Sequence, residues 1–147
     1  MNVVNEMKLD ILSRSANESF ARVAVAAFAA QLDPTIEEIS DIKTAVSEAV
    51  TNCIVHGYAE KLGRIYITVR LTDTGAVQIK IRDNGCGIPD VKQAMEPLFT
   101  TAGGERAGLG FAVMQSFMDK VSVRSKIGSG TTVTLTKHLA LRVKMNG

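Results

Sequence analysis

The sequence predicts an α+β fold, a two-layer α/β sandwich whose mixed, mostly antiparallel sheet carries helices on one face. Segments with alternating apolar and polar residues come in pairs, 65–71 with 77–81 and 121–127 with 131–139. A short glycine-containing turn joins each pair, as in a hairpin. Helical periodicity lies between the pairs, and the length of 147 residues predicts one domain over 1–147.

The chain opens with a strand and a helix. Residues 7–12 alternate apolar and polar side chains, as a half-buried strand does. The alanine-rich segment 16–32 has its larger apolar side chains on one side, which predicts a helix. Ser13, Ser15 and Asn17 are the candidate N-cap residues for that helix.

A second helix follows after a short break. Asp33-Pro34 ends the first helix, because the residue before a proline avoids the helical region. Thr35 begins the next helix with Glu38 three residues later, which is the capping-box pattern. Helical periodicity continues to about residue 55, and Gly57 ends it.

The second half of the chain is built around a glycine-rich loop. Residues 83–110 are rich in glycine and contain only short apolar islands, so they predict a loop after the first hairpin. A helix is predicted over 109–118, followed by the second hairpin. A basic tail from about residue 140 is expected to be flexible.

Composition argues against several classes of function. The net charge of +2, with no dense basic run, argues against direct nucleic-acid binding. No apolar segment is long enough to cross a bilayer, and no secretory leader pattern opens the sequence. We therefore expect a cytoplasmic protein without membrane contact. Cys53 and Cys86 lack metal-ligand spacing and are expected to be reduced thiols.

The end of the second helix carries a polar stripe. Glu48, Asn52 and His56 recur every fourth residue, so they lie along one side of the helix. Glu48 has the chemistry to accept a proton from an attacking hydroxyl. The amide oxygen of Asn52 is a hard ligand that suits Mg²⁺. A solvated helix face can show the same polar stripe. The hypothesis that this stripe binds Mg²⁺ and a substrate hydroxyl therefore depends on the loop that follows in the sequence.

The loop begins directly after a strand with Asp83. An aspartate at a strand end beside a glycine turn is well placed to accept a hydrogen bond from an exocyclic amine, such as adenine N6. Gly85 and Gly87 allow a close backbone approach or a positive φ. A plain Asp-Asn-Gly turn is the competing interpretation of the same residues.

A second glycine pair, Gly108 and Gly110, flanks Leu109 at the start of the third predicted helix. A helix N-terminus of this kind exposes backbone N–H groups that bind anions, and Arg106 just before it can neutralise a terminal phosphate. A tightly packed helix start is the alternative. No Walker A motif and no dinucleotide fingerprint occur in the sequence.

The order of these motifs resembles the ATP-binding fold of DNA gyrase B, MutL, the large heat-shock chaperones and sensor histidine kinases, the GHKL or Bergerat superfamily. The resemblance implies Mg²⁺ binding by Asn52, adenine binding by Asp83 and a lid over the phosphates at about 95–107. Thr131 would help to hold adenine or a bound water. The remaining implied ATP contacts are Gly85, Gly87, Thr100, Thr101, Gly108, Leu109 and Gly110.

Almost the whole chain, from about residue 6 to 139, resembles a narrower family, the sporulation anti-sigma factors that act on sigma factor F. The matching segments include Asn17-Glu18-Ser19-Phe20-Ala21-Arg22, Ser47-Glu48-Ala49-Val50-Thr51-Asn52, His56-Gly57-Tyr58 and Pro97-Leu98-Phe99-Thr100-Thr101. The resemblance implies a homodimer that inhibits sigma factor F and is an ATP-dependent serine kinase of an anti-anti-sigma factor. Glu48 would be the base that faces the substrate serine, with Arg106 beside the phosphates.

Three alternatives remain open from sequence. The chain could use ATP only to hold its lid, as a nucleotide-gated binding protein without kinase activity. It could serve a general-stress sigma factor instead. A histidine-kinase catalytic domain is less favoured, because we see no upstream pair of phosphoacceptor helices and neither His56 nor His138 is a plausible acceptor.

Overall fold

A five-stranded sheet forms the centre of the protein. The computed structural model describes residues 2–59, 61–96 and 110–140. The strands lie in the order β1-β2-β3-β5-β4, and every pair of neighbours is antiparallel. Their bounds are β1 Val3–Leu12, β2 Arg64–Thr72, β3 Ala76–Asp83, β4 Lys120–Lys126 and β5 Gly130–His138. The predicted α+β class and the two predicted hairpins are confirmed.

Four α-helices accompany the sheet in the described part of the chain. They are α1 Ala16–Ala29, α2 Ile36–Asn52, α3 Val91–Ala94 and α4 Phe111–Phe117. A 3₁₀ turn, Ala30–Leu32, extends α1, and a π-helical turn, Cys53–Gly57, extends α2. The short α3 was not predicted, because four residues give too little periodicity to recognise. Each helix in the described part of the chain is too short or too polar to span a lipid bilayer.

The core lies between one face of the sheet and the two long helices. Strand periodicity places alternate residues of β2 and β3 on the same face, and the register pairs Ile67 with Ile81 and Val69 with Ile79. All four are fully buried. The helices cover them with Val25 and Ala29 from α1 and with Ile42, Val46 and Val50 from α2.

The predicted capping box at the start of α2 is confirmed. Thr35 N–H donates to Glu38 Oε1 at 2.8 Å, and Glu38 N–H donates to Thr35 Oγ1 at 3.0 Å. The helical segment before it ends at Asp33, whose φ of 51° is left-handed. The capping box and the end of the preceding helical segment both depend on residues that are close together in the sequence.

Ser15, one of the three N-cap candidates, occupies the N-cap position of α1, but its side chain makes no capping hydrogen bond. Asn17 Nδ2 instead donates to the carbonyl of Leu12 at 2.9 Å, and Ser13 Oγ accepts the N–H of Gly63 at 2.9 Å. These side chains bind backbone groups outside the helix, so they tie the β1–α1 corner to the start of β2.

Several predictions concern residues outside the described part of the chain. The proposed lid is described only as far as residue 96, and the basic tail only at residue 140. The third predicted helix is confirmed as α4, with its first described residues at Gly110 and Phe111.

Candidate functional site

The predicted site residues meet in one cavity beside the end of α2. Asn52, Asp83, Gly87 and Thr131 contribute to its lining, with Cys53, His56 and Gly57 from the π-helical turn. Asp83 lies at the end of β3, and Thr131 lies at the start of β5. Apolar walls complete it, formed by Ala49, Ile81, Ile88, Phe111 and Val133. Apolar walls around a few converging polar groups are the lining typical of a small-molecule site, and the described residues enclose about 20 Å³ of free space there.

Asp83 is the carboxylate among the described residues that line the cavity, and it is only 4% exposed. Its Oδ1 accepts the N–H of Gly85 at 2.8 Å, and its carboxylate also accepts from the Cys53 thiol and the Thr131 N–H. Burial raises the pKa of Asp83 above the usual aspartate value, and these three donors oppose that rise. Burial, followed by the Asp83 charge, holds the pKa of Cys53 well above its ordinary value, so this thiol stays a donor.

A hydroxyl pair connects Thr131 to Ser125. Ser125 Oγ accepts the N–H of Ile88 at 2.7 Å and lies 3.1 Å from the carbonyl oxygen of Gly130. It also lies 2.8 Å from Thr131 Oγ1, and either hydroxyl can donate in this contact. In both cases Thr131 Oγ1 keeps a lone pair that can accept a hydrogen bond in the cavity. Asp83 and Thr131 together form an acceptor pair suited to an amine.

The glycines of the loop after β3 allow backbone segments to touch. A Cβ at Gly85 would lie 2.1 Å from the carbonyl oxygen of Gly57. At Gly87, which has a φ of +81°, it would lie 2.4 Å from the carbonyl oxygen of Lys126. The loop therefore packs directly on the π-helical turn and on the end of β4, and only residues without a Cβ fit there.

Three amides of this loop donate to protein acceptors. Gly85 N–H binds Asp83, Cys86 N–H donates to the carbonyl of Gly57 at 2.9 Å, and Ile88 N–H binds Ser125. These three donors are therefore not available to a ligand, and they hold the loop around Asp83 in place.

Asn52 and Glu48 lie one helical turn apart on α2. The Asn52 side-chain oxygen is buried and Asn52 lines the cavity, whereas Glu48 is half-buried and is not among the described residues that line it. The described residues contain no cluster of three or more His, Cys, Asp or Glu side chains that could hold a metal. A Mg²⁺ ion here would fit an arrangement of one amide oxygen with phosphate and water oxygens.

The other predicted site residues fall largely outside the described part of the chain. Those residues are Thr100, Thr101, Arg106, Gly108 and Leu109, so their roles remain predictions. Gly110 is described, and it precedes α4 with a left-handed φ of 67°. Phe111, the first residue of α4, is buried and forms part of the cavity wall.

Sequence reasoning missed Cys53, which lines the cavity, and Tyr58 and Ser125, which bind Asn84 and Thr131 beside it. Cys53 and Tyr58 follow Asn52 within six positions. Their closeness to Asn52 in the sequence could have identified them as candidates. Ser125 lies in a strand far from the other motifs, and only the β4–β5 pairing of Ser125 with Thr131 brings it to the cavity.

Comparisons with known proteins agree with this geometry. Residues 12–137 match the model of the histidine kinase-like ATPase domain family. The anti-sigma F factor of Thermoanaerobacter sp. (strain X514) is 59% identical over 140 residues, which cover 95% of this chain and 97% of that protein. The anti-sigma F factor of Bacillus subtilis (strain 168) is 56% identical over 138 residues, covering 92% and 94%.

Among solved structures, the RsbU and RsbW domains of a Mycobacterium tuberculosis protein match with a TM-score of 0.69. That match covers 98% of this chain and 34% of the other, at 21% sequence identity. A likeness at this level of identity concerns the fold, and it agrees with the antiparallel sheet and the helix placement described above.

Proposed function

Because the chain belongs to the histidine kinase-like ATPase family and, within it, to the anti-sigma F factors, we propose that it binds and inhibits sigma factor F. We further propose that it is an ATP-dependent serine kinase that phosphorylates, and so inactivates, an anti-anti-sigma factor. The chain would act in the cytoplasm as a homodimer. The family membership supports both activities, and the geometry of the cavity supports the second.

The observation that carries the kinase proposal is the meeting of Asn52, Asp83 and Thr131 in one cavity. The acceptor pair Asp83 and Thr131 complements the amine of adenine, and the apolar walls suit the faces of a base. Asn52 lies at the same cavity on the side of α2, where its oxygen suits the Mg²⁺ that accompanies ATP or ADP.

Glu48 is the proposed base. It precedes Asn52 by one turn, so a serine presented beside α2 would meet its carboxylate close to the phosphates. Bound Mg-ATP would supply the phosphoryl group, and its Mg²⁺ would neutralise charge on the phosphates. Glu48 accepts the proton of the serine hydroxyl as that oxygen bonds to phosphorus and ADP leaves. Arg106 is proposed to neutralise charge on the terminal phosphate.

The test is a transfer assay with purified protein, labelled Mg-ATP and a candidate anti-anti-sigma protein. Glu48→Gln should lower label transfer by roughly a hundredfold or more, the usual range for a lost general base, while leaving ATP affinity nearly unchanged. Glu37→Gln is the matched control, because Glu37 is exposed in the first turn of the same helix. Normal transfer by Glu48→Gln would refute the role of Glu48.

The same assay separates the alternatives. ATP binding without any transfer to a partner serine would indicate a nucleotide-gated binding protein. Transcription by polymerase carrying sigma factor F, compared with polymerase carrying a general-stress sigma factor, tests which sigma factor is inhibited. Sedimentation of the full chain with and without nucleotide tests the homodimer.

A further inference from the structure

Tyr58 joins three separate parts of the protein behind the cavity. It follows the π-helical turn, and its N–H donates to the carbonyl of Cys53 at 2.9 Å. Its hydroxyl donates to the carbonyl of Arg64 at the start of β2 and accepts the N–H of Asn84 at 2.8 Å. A single hydroxyl therefore links the end of α2, the first residue of β2 and the loop after β3.

The Tyr58 ring is itself held in place. A Cβ at Gly63 would lie within 2.3 to 2.6 Å of three ring atoms, so the ring lies directly on the Gly63 backbone. Gly63 is fixed in turn by Ser13, which donates its N–H to the Gly63 carbonyl at 2.8 Å and accepts the Gly63 N–H through its hydroxyl. The hydroxyl of Tyr58 thus has little freedom to move.

The link from Tyr58 to Asp83 runs through one peptide unit. The carbonyl of Asp83 and the N–H of Asn84 belong to the same planar peptide group. A hydrogen bond that fixes the Asn84 N–H therefore also fixes the Asp83 carbonyl, which is bonded to the Cα that carries the Asp83 side chain. The other side of this unit lies against Gly130, where a Cβ would be 2.1 Å from the Asp83 carbonyl oxygen. Tyr58 and Gly130 hold the Asp83–Asn84 peptide between them.

We propose that Tyr58 is a positioning residue for nucleotide recognition, which orients Asp83 toward the adenine amine through the N–H of Asn84. Tyr58 is not among the described residues that line the cavity, so it acts through Asp83 and not on the ligand. The proposal rests on the proposed function, in which Asp83 is the adenine contact. Its consequence is that the tyrosine hydroxyl contributes to the preference for ATP over GTP.

The experiment compares Tyr58→Phe with Tyr66→Phe in the full-length chain. These are the two tyrosines of the sequence. Tyr66 is a matched control because its ring lies under the Arg82 guanidinium, 4.3 Å away, and is not among the described residues that line the cavity. Calorimetric titration with Mg-ATP and Mg-GTP gives the two affinities, and thermal unfolding gives the stability of each variant.

Tyr58→Phe removes both hydrogen bonds of the hydroxyl. Loss of the one to the Asn84 N–H should weaken ATP binding by roughly three- to tenfold, and it should weaken GTP binding less. The ratio of the two affinities therefore falls. A purely structural role would lower the fraction of active protein without changing that ratio. Tyr66→Phe should keep the wild-type ratio.

The outcomes separate this inference from the proposed function. An unchanged ATP affinity and ATP-to-GTP ratio in Tyr58→Phe, in a wild-type protein that prefers ATP, would overturn the role of Tyr58 alone. A wild-type protein without any preference for ATP would overturn the adenine assignment of Asp83, and the role of Tyr58 with it.

Discussion

Replacing Gly130 with alanine should both destabilise the protein and weaken ATP binding, whereas the same change at Gly128 should only destabilise it mildly. Both glycines lie at the turn between β4 and β5 and have a positive φ, +115° at Gly130 and +81° at Gly128. They differ in their surroundings. A Cβ at Gly130 would lie 2.1 Å from the carbonyl oxygen of Asp83, whereas a Cβ at Gly128 would meet nothing within 4 Å.

The expected loss of stability in each variant follows from this difference in surroundings. A positive φ strains an alanine by about 1–2 kcal/mol at Gly128. At Gly130 the strain is about 1–3 kcal/mol, because a φ of +115° lies outside the left-handed helical region. At Gly130 the methyl also has to push β5 away from the Asp83 backbone, and overpacking of this kind adds about 1–3 kcal/mol. With about 3–4 °C per kcal/mol for a chain of this size, the Tm should fall by roughly 6–24 °C in Gly130→Ala and by roughly 3–8 °C in Gly128→Ala.

The functional effect distinguishes the two variants more sharply. The Asp83–Thr131 pair is the last one in the β3–β5 register, so a shift of β5 at Gly130 moves both proposed adenine acceptors. Thermal unfolding by circular dichroism and calorimetric titration with Mg-ATP measure the two effects. Equal losses of Tm in the two variants, or an unchanged ATP affinity in folded Gly130→Ala, would refute the reasoning.

Three further predictions concern charge, metal and helix capping. Asp83→Asn should weaken ATP binding in calorimetric titration, because an amide N–H replaces one of the two acceptor oxygens of the carboxylate. The folded protein raises the pKa of Asp83 above the ordinary value of 3.8. The free energy of unfolding of the wild type should therefore fall as the pH rises from 3.8 to the pKa of Asp83 in the folded protein. Unfolding of Asp83→Asn, measured against pH, should not show this fall. Asn52→Ala should lose the Mg²⁺ dependence of ATP binding in titrations with and without the metal; an unchanged dependence would exclude Asn52 as the ligand. Thr35→Ala should lower stability in urea by about 1 kcal/mol through loss of the capping box, with ATP affinity as the internal control.

Much of the fold was predictable because it depends on residues close together in the chain. The alternation in β2 and β3 needs only a few consecutive residues, and the capping box of Thr35 and Glu38 spans four. Asp83 was a candidate because it ends a strand and begins a glycine turn. The meeting of Asn52, Asp83 and Thr131 in one cavity was expected from the resemblance to a known family, since no local pattern brings these positions together.

The tertiary structure decided how the site is held. Ser125 reaches Thr131 through strand pairing, and Tyr58 reaches Asn84, 26 positions away, across the packed ends of α2 and β3. Ser15 makes no side-chain cap because its own backbone is already helical, with φ −54° and ψ −37°, whereas a capping residue is usually extended. Local periodicity and turn chemistry determine which segments form helices and strands. The partners of a buried hydroxyl or carboxylate are determined by strand order and packing, which join residues far apart in the sequence.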